Sequence, residues 1–232
     1  MEGQLPLVLD RPDRHRLDLF QVGAEGREAW ERVQALLRAE VRFAFVWGGS
    51  GAGKTHLLEG AARAGGGTYW ELSALRREAA AAGVSPETLL AVGSGGGLVA
   101  LDGVEAIAGD TDWEAVVFHL YNRLNEEGGR LLAAATVNPN SLELVREELR
   151  SRLHWGGSFP LGRLSDDERL AALQGHGEAR GLAVKDEVGI YLLRYYSRNM
   201  HQLMAALERL DAAALAERRR LTVPFVKAQL GL

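Results

Sequence analysis

The 232-residue chain has no cysteine, only three lysines, few aromatic residues (7%) and no long hydrophobic run. Without cysteine there can be no disulfide, no thiolate metal site and no cysteine nucleophile. The six histidines are scattered without metal-ligand spacing. The apolar stretch Leu5 to Leu9 stops at Asp10 and has no basic leader. Neither a secretory signal nor a membrane span is indicated, and a cytoplasmic location is expected. Excess positive charge is missing too: the net charge is −4, and 24 of the 27 basic residues are arginine. No overall field draws such a chain to nucleic acid, and sequence-specific DNA binding is not expected. The basic run Arg218-Arg219-Arg220 reads as a solvated helix end.

A hydrophobic content of 47% over this length can bury one large domain, or one domain with a small appendage. The most informative stretch is Gly48-Gly49-Ser50-Gly51-Ala52-Gly53-Lys54-Thr55-His56, after the strand-like Phe43-Ala44-Phe45-Val46-Trp47 and before an amphipathic segment. Gly48, four residues, then Gly53-Lys54-Thr55 is the spacing of a phosphate-binding Walker A loop. Glycines let successive backbone N–H groups turn toward phosphate oxygens, and the helix beginning at Lys54 adds its positive end. Lys54 reaches the β- and γ-phosphates and the Thr55 hydroxyl ligates Mg²⁺. A purine nucleoside triphosphate with Mg²⁺ is the ligand this predicts. Gly97-Leu98-Val99-Ala100-Leu101-Asp102 reads as a buried strand ending in an acid, and Asp102 fits the Walker B carboxylate that orders Mg²⁺ through its water shell. The next position is Gly103, where hydrolytic relatives of this motif place a second acid. Glu105 reads as an exposed turn residue, so weak or no intrinsic ATPase activity is expected.

The rest of the chain alternates. Gly26 to Glu40 carries Trp30, Val33, Leu36 and Leu37 on one helical face. Strands are expected at 68–72, 130–135 and 158–161, and helices from the cap-then-proline Ser85-Pro86-Glu87, from Asp112 as cap to about Glu126, and over Leu142 to Leu153. This β-α-β-α order implies a parallel sheet covered by helices on both faces. From Ser165-Asp166-Asp167-Glu168, a capping box, helical periodicity dominates to the end, with interruptions near Gly181, Asn199 and Thr222-Val223-Pro224.

Within this α/β pattern, Arg146-Glu147-Glu148-Leu149-Arg150-Ser151-Arg152-Leu153-His154-Trp155-Gly156 resembles the arginine-finger segment of the bacterial replication initiator DnaA. Asp18-Leu19-Phe20-Gln21-Val22-Gly23 is similar to that family's segment lying against the adenine, which implies Phe20 and Val22 in nucleotide binding. Phe118-His119-Leu120-Tyr121-Asn122 and Leu164-Ser165-Asp166-Asp167-Glu168 also match. The resemblance spans about residues 17 to 230. It implies an α/β AAA+ P-loop NTPase domain (17–162) followed by a small all-helical lid domain (163–232), with residues 1–16 as a tail. The initiator's helix-turn-helix would come after the lid, where this sequence stops. The resemblance is therefore to the family's regulatory branch, whose members restrain initiation. Gln4-Leu5-Pro6-Leu7-Val8-Leu9 is similar to the peptide by which that branch docks on the sliding clamp (the beta subunit of DNA polymerase III), with Gln4, Leu5, Leu7 and Leu9 as contacts.

What the resemblance implies is an adaptor. It would bind ADP or ATP with Mg²⁺, sit on the clamp, and present Arg152 in trans to ATP-bound DnaA so that DnaA hydrolyses its ATP. A guanidinium at a subunit edge suits that task, because it stabilises charge on the transferring phosphoryl group. The family's lid arginine aligns with His201, with Arg198 nearby, and Thr136 or Asn138 stands where the family has a polar sensor. A DnaC-like helicase loader, a small-molecule P-loop kinase and a non-hydrolysing nucleotide-binding scaffold are the rival readings. Which nucleotide is active and whether the chain forms a homo-oligomer stay open.

Overall fold

The computed structural model describes residues 15–83, 85 and 97–232. The Gln4–Leu9 peptide and most of the helix expected after Ser85 lie outside them. Strands β1 (Phe43–Trp47), β2 (Thr68–Glu71), β3 (Leu98–Asp102), β4 (Arg130–Ala135) and β5 (Ser158–Pro160) form a parallel sheet in the order β2-β3-β4-β1-β5. Helices α1 (Arg27–Leu37), α2 (Lys54–Ala64), α3 (Leu72–Ala82), α4 (Thr111–Glu127) and α5 (Glu147–Trp155) surround it.

The two-residue period of the strands decides what lies on each face. Ala44, Val46, Leu98, Ala100, Leu132 and Ala134 point to one side and bury Val33 and Leu36 of α1 with Leu57, Leu58 and Ala61 of α2. Phe45, Val99, Leu101, Leu131, Ala133 and Ala135 point to the other, against Val117, Leu120, Tyr121 and Leu124 of α4 and Leu149 and Leu153 of α5. Both cores are dominated by apolar side chains, so burial of apolar surface holds the sheet between its helices.

A third core belongs to the C-terminal helices α6 (Asp166–Glu178), α7 (Asp186–Tyr195), α8 (Met200–Glu217) and α9 (Val223–Leu230), built on Leu173, Leu192, Leu203, Leu207, Leu210 and Phe225. The capping box at the start of α6 is present as expected, with the Ser165 side chain accepting from Glu168 N. Glu168 does more than cap: its carboxylate accepts from Ser165 N at 2.6 Å and from Ala24 N at 2.9 Å, tying α6 to the segment that leads into α1. Asn199 caps α8 and Thr222 caps α9, as their side-chain chemistry suggests.

Two local expectations are corrected. The cap of α4 is Asp110, which accepts from Asp112 N and Trp113 N; Asp112 lies in the first turn, where a carboxylate suits the helix dipole. Helix α5 starts at Glu147 rather than Leu142, because the preceding residues are held out of the helix. Leu142 and Leu144 bury alternately, and the fully buried Glu114 carboxylate accepts from Gly109 N (2.9 Å), Val145 N (3.0 Å) and Arg146 N (2.8 Å). A fully buried carboxylate is tolerated only with such a set of donors.

That clasp fixes where the α5 helix begins. Glu114→Gln turns one acceptor into a donor facing backbone N–H groups, and should lower unfolding stability in urea by about 2–4 kcal/mol. A loss within about 0.5 kcal/mol, the size of an ordinary surface change, would contradict this role.

Candidate functional site

The loop between β1 and α2 adopts the cradle that its glycines predict. At Gly48 an added Cβ would lie 2.3 Å from Leu161 O, so only glycine lets the loop pass this close to the chain after β5. Gly53 caps α2 without a side chain, leaving the first-turn N–H groups without intrahelical acceptors, and Gly53, Lys54, Thr55 and His56 all line a cleft. The Lys54 ammonium donates to Gly48 O (2.6 Å) and Gly49 O (3.2 Å), and burial lowers its pKa against the opposing pull of Asp102 and Glu105. Thr55 Oγ1 donates to Asp102 Oδ2 at 2.6 Å. The two motifs, 47 residues apart, thus meet in one contact. Their oxygens form the donor set a hydrated divalent cation needs.

Around this cradle opens a cleft of about 510 Å³. Its floor is Ser50, Gly51, Ala52, Gly53, Lys54, Thr55 and His56; Phe20, Glu105, Thr136 and His201 also line it. Phe20 stacks on Trp30 (5.5 Å between centroids) and meets His56 edge-on (5.5 Å). Val22 is not among the lining residues. Arg198 is also elsewhere: it is exposed and paired with Asp166 at 3.1 Å, so His201 alone of that expected pair faces the cleft. Thr136 lines the cleft, whereas the Asn138 side chain is used to accept from Asn140 N. Glu105, expected as an exposed turn residue, is half-buried on the cleft wall and accepts from Thr136 N at 3.3 Å.

The helical domain contributes residues that belong to neither Walker motif. Ala172, His176 and Arg180 of α6 and the turn after it recur every four residues, and His201, Met204, Ala205 and Glu208 of α8 recur at three and four; each set forms one helix face on the cleft. That spacing was readable, but not which way the face would turn. His176 is buried, its Nδ1 has no hydrogen-bond partner among the described residues, and its ring meets His56 at 5.4 Å. Burial, and then the nearby His56 and Arg180, push its pKa down to about 4.

The candidate finger stands on another surface. Of the three arginines on or next to α5, Arg146 donates to Thr111 O, and Arg150 is spent on Glu147 (2.8 Å) and Leu144 O (2.7 Å). Arg152 lies over the Trp155 ring at 4.6 Å and the Tyr121 ring at 5.7 Å. It makes no salt bridge among the described residues and does not line the chain's own cleft. Trp155 is 69% exposed beside it.

Residues 166–230 match the family model for the Hda lid domain, and residues 97–159 match that for the bacterial DnaA ATPase domain. In its lid the chain is similar to Hda, and in the second half of its α/β domain to DnaA. Its fold is that of domain III of the Thermotoga maritima replication initiation protein DnaA, with a TM-score of 0.77 at 19% identity over 98% of each chain. AMPPCP-bound DnaA from Aquifex aeolicus superposes with a TM-score of 0.67 at 24% identity, covering 84% of this chain and 64% of that one. The RuvB Holliday junction branch migration motor of Thermotoga maritima gives 0.66 at 14% identity over 94% and 72%. Among the described residues of the Hda-like chain, no helix is long and apolar enough to cross a membrane.

The neutral His176 has a thermodynamic signature. Between about pH 6.5 and pH 4 the unfolded chain takes up a proton that the folded chain refuses at this position. The corresponding stability is present above about pH 6.5 and is lost as pH falls toward 4. Wild type should therefore lose more thermal stability between pH 7 and pH 5 than His176→Leu. The gap should be a few degrees, since about 1 kcal/mol moves the Tm of a chain this size by about 2–4 °C. Equal losses would show that His176 titrates normally.

Proposed function

We propose that this Hda-like chain is a negative regulator of bacterial replication initiation. It binds an adenine nucleotide, attaches to the DNA polymerase III sliding clamp, and presents Arg152 to ATP-bound DnaA so that DnaA hydrolyses its ATP. The observation carrying this reading is the state of Arg152: a guanidinium held on two aromatic faces, with no acidic partner among the described residues, away from its own cleft. Stacking restrains the side chain while leaving its N–H donors available, which is what a residue acting on a neighbour's phosphates requires.

ADP or ATP fits the cradle, with phosphates replacing Gly48 O and Gly49 O as the partners of Lys54. The AMPPCP-bound Aquifex aeolicus DnaA, of the same fold, supports adenine as the base. Phe20 and His56 supply ring surfaces for it, and His201 faces the cleft from the lid. Thr55 and Asp102 would hold Mg²⁺, which supplies positive charge to the phosphates. The chain's own hydrolysis is weak in this reading. Gly103 comes directly after Asp102 at φ +78°, a conformation that strains any acid placed there. Attachment through Gln4, Leu5, Leu7 and Leu9 would restrict action to clamps on DNA, and so to the time after initiation.

The test is the decay of ATP pre-bound to purified DnaA in the presence of clamp loaded on DNA. Wild type should accelerate decay. Arg152→Ala should cut the stimulated rate at least about a hundredfold, a conservative share of the about 10³–10⁵ an arginine finger supplies. Removing residues 1–9 should abolish stimulation by severing the clamp attachment, and Lys54→Ala should abolish ADP binding in equilibrium titration. Unaltered DnaA-bound ATP with wild type present would end the inactivator reading and favour a DnaC-like helicase loader.

A further inference from the structure

The sheet puts a tyrosine beside the metal-site acid. β2 and β3 pair in parallel, Tyr69 opposite Ala100 and Glu71 opposite Asp102, so Tyr69 is the diagonal neighbour of Asp102 on the face covered by α2. An aromatic side chain spans that diagonal. The Tyr69 hydroxyl donates to Asp102 Oδ2 at 3.0 Å, the same oxygen that accepts from Thr55 Oγ1 at 2.6 Å. Two donors account for the two lone pairs of Oδ2. Oδ1 receives no hydrogen bond from the described residues, although Asp102 is only 5% exposed.

We propose that Tyr69 is a positioning residue for the divalent cation of the nucleotide site. Together with Thr55 it pins Oδ2 and fixes the carboxylate plane, so that Oδ1 is presented to the water shell of nucleotide-bound Mg²⁺. Asp102 would hold the cation through the cation's water shell, so the orientation of the carboxylate would decide how well those waters are held. Without the hydroxyl, the carboxylate keeps one anchor and turns about its Cβ–Cγ bond. This inference rests on the nucleotide-binding reading and narrows it to one residue that neither motif contains.

The test is ADP binding by calorimetry to wild type and Tyr69→Phe, in Mg²⁺ and in EDTA, with Mn²⁺ titrated onto each ADP complex and detected by electron paramagnetic resonance. Phenylalanine keeps the ring, and thermal melting checks that the variant is folded. The expected result is an unchanged ADP affinity in EDTA. Both the Mg²⁺ enhancement and the Mn²⁺ affinity should fall by about tenfold, the low end for outer-shell partners of a metal site. Unchanged or tighter Mn²⁺ binding overturns the proposal, as does an equal loss of ADP affinity in EDTA, which would mark a purely structural role. If wild type binds no ADP in either condition, the nucleotide reading fails and takes this one with it; if ADP binds without Mg²⁺ enhancement, only the cation role of Tyr69 and Asp102 falls.

Discussion

The end of β4 is the constraint on which the site depends. Ala135 O accepts from Gly48 N at 3.2 Å and Ala134 O accepts from Gly103 N at 3.0 Å, so one strand fixes the phosphate loop on one side and the acid-bearing turn on the other. Because the strands are parallel, both turns leave the sheet at the same edge, as in other open α/β sheets that bind ligands at their C-terminal ends. The short Thr55–Asp102 hydrogen bond is then a consequence of register, and so is the reach of Tyr69 to the same carboxylate. Slipping β3 by one residue would turn Asp102 to the other face and lose both.

Two carboxylates extend that order outward. Glu168 joins the start of α6 to the chain before α1, which sets the helical domain against the cleft and delivers His176, Arg180 and His201 to it. Glu114 holds the chain ahead of α5 and so sets the helix that carries Arg152. Charge-assisted bonds to backbone N–H groups suit this work, since they fix chain position without depending on a second flexible side chain. Arg152 itself is held differently, by ring faces, which leaves its donors uncommitted among the described residues.

Much of this architecture was legible in the residues. The Walker spacing, with a strand before it and a helix after it, implied the cradle; the capping box marked the start of the helical domain; alternation of strand and helix signals implied the parallel sheet. Errors fell where a distant residue overrides a local signal. Leu142 to Leu144 carries helix-compatible sequence, yet Glu114 captures the N–H groups of Val145 and Arg146 and keeps the helix from starting before Glu147. Asp110 and Asp112 are equally good caps by residue type, and only the turn after β3 chooses between them. Arg198 neighbours His201 in the sequence but pairs across helices with Asp166.

Sequence by itself determined most of the elements and the turn of the loop between β1 and α2, because capping, strand alternation and glycine tolerance act within a few residues. The tertiary structure decided which side chains share the cleft: that His176 and Arg180 join His201 there, that Glu105 faces inward, that Tyr69 meets Asp102, and that Arg152 stands on ring faces without a carboxylate partner among the described residues. Those outcomes depend on helix orientation and strand register, which are fixed by packing between segments far apart in the chain and leave no local trace in the residues they bring together.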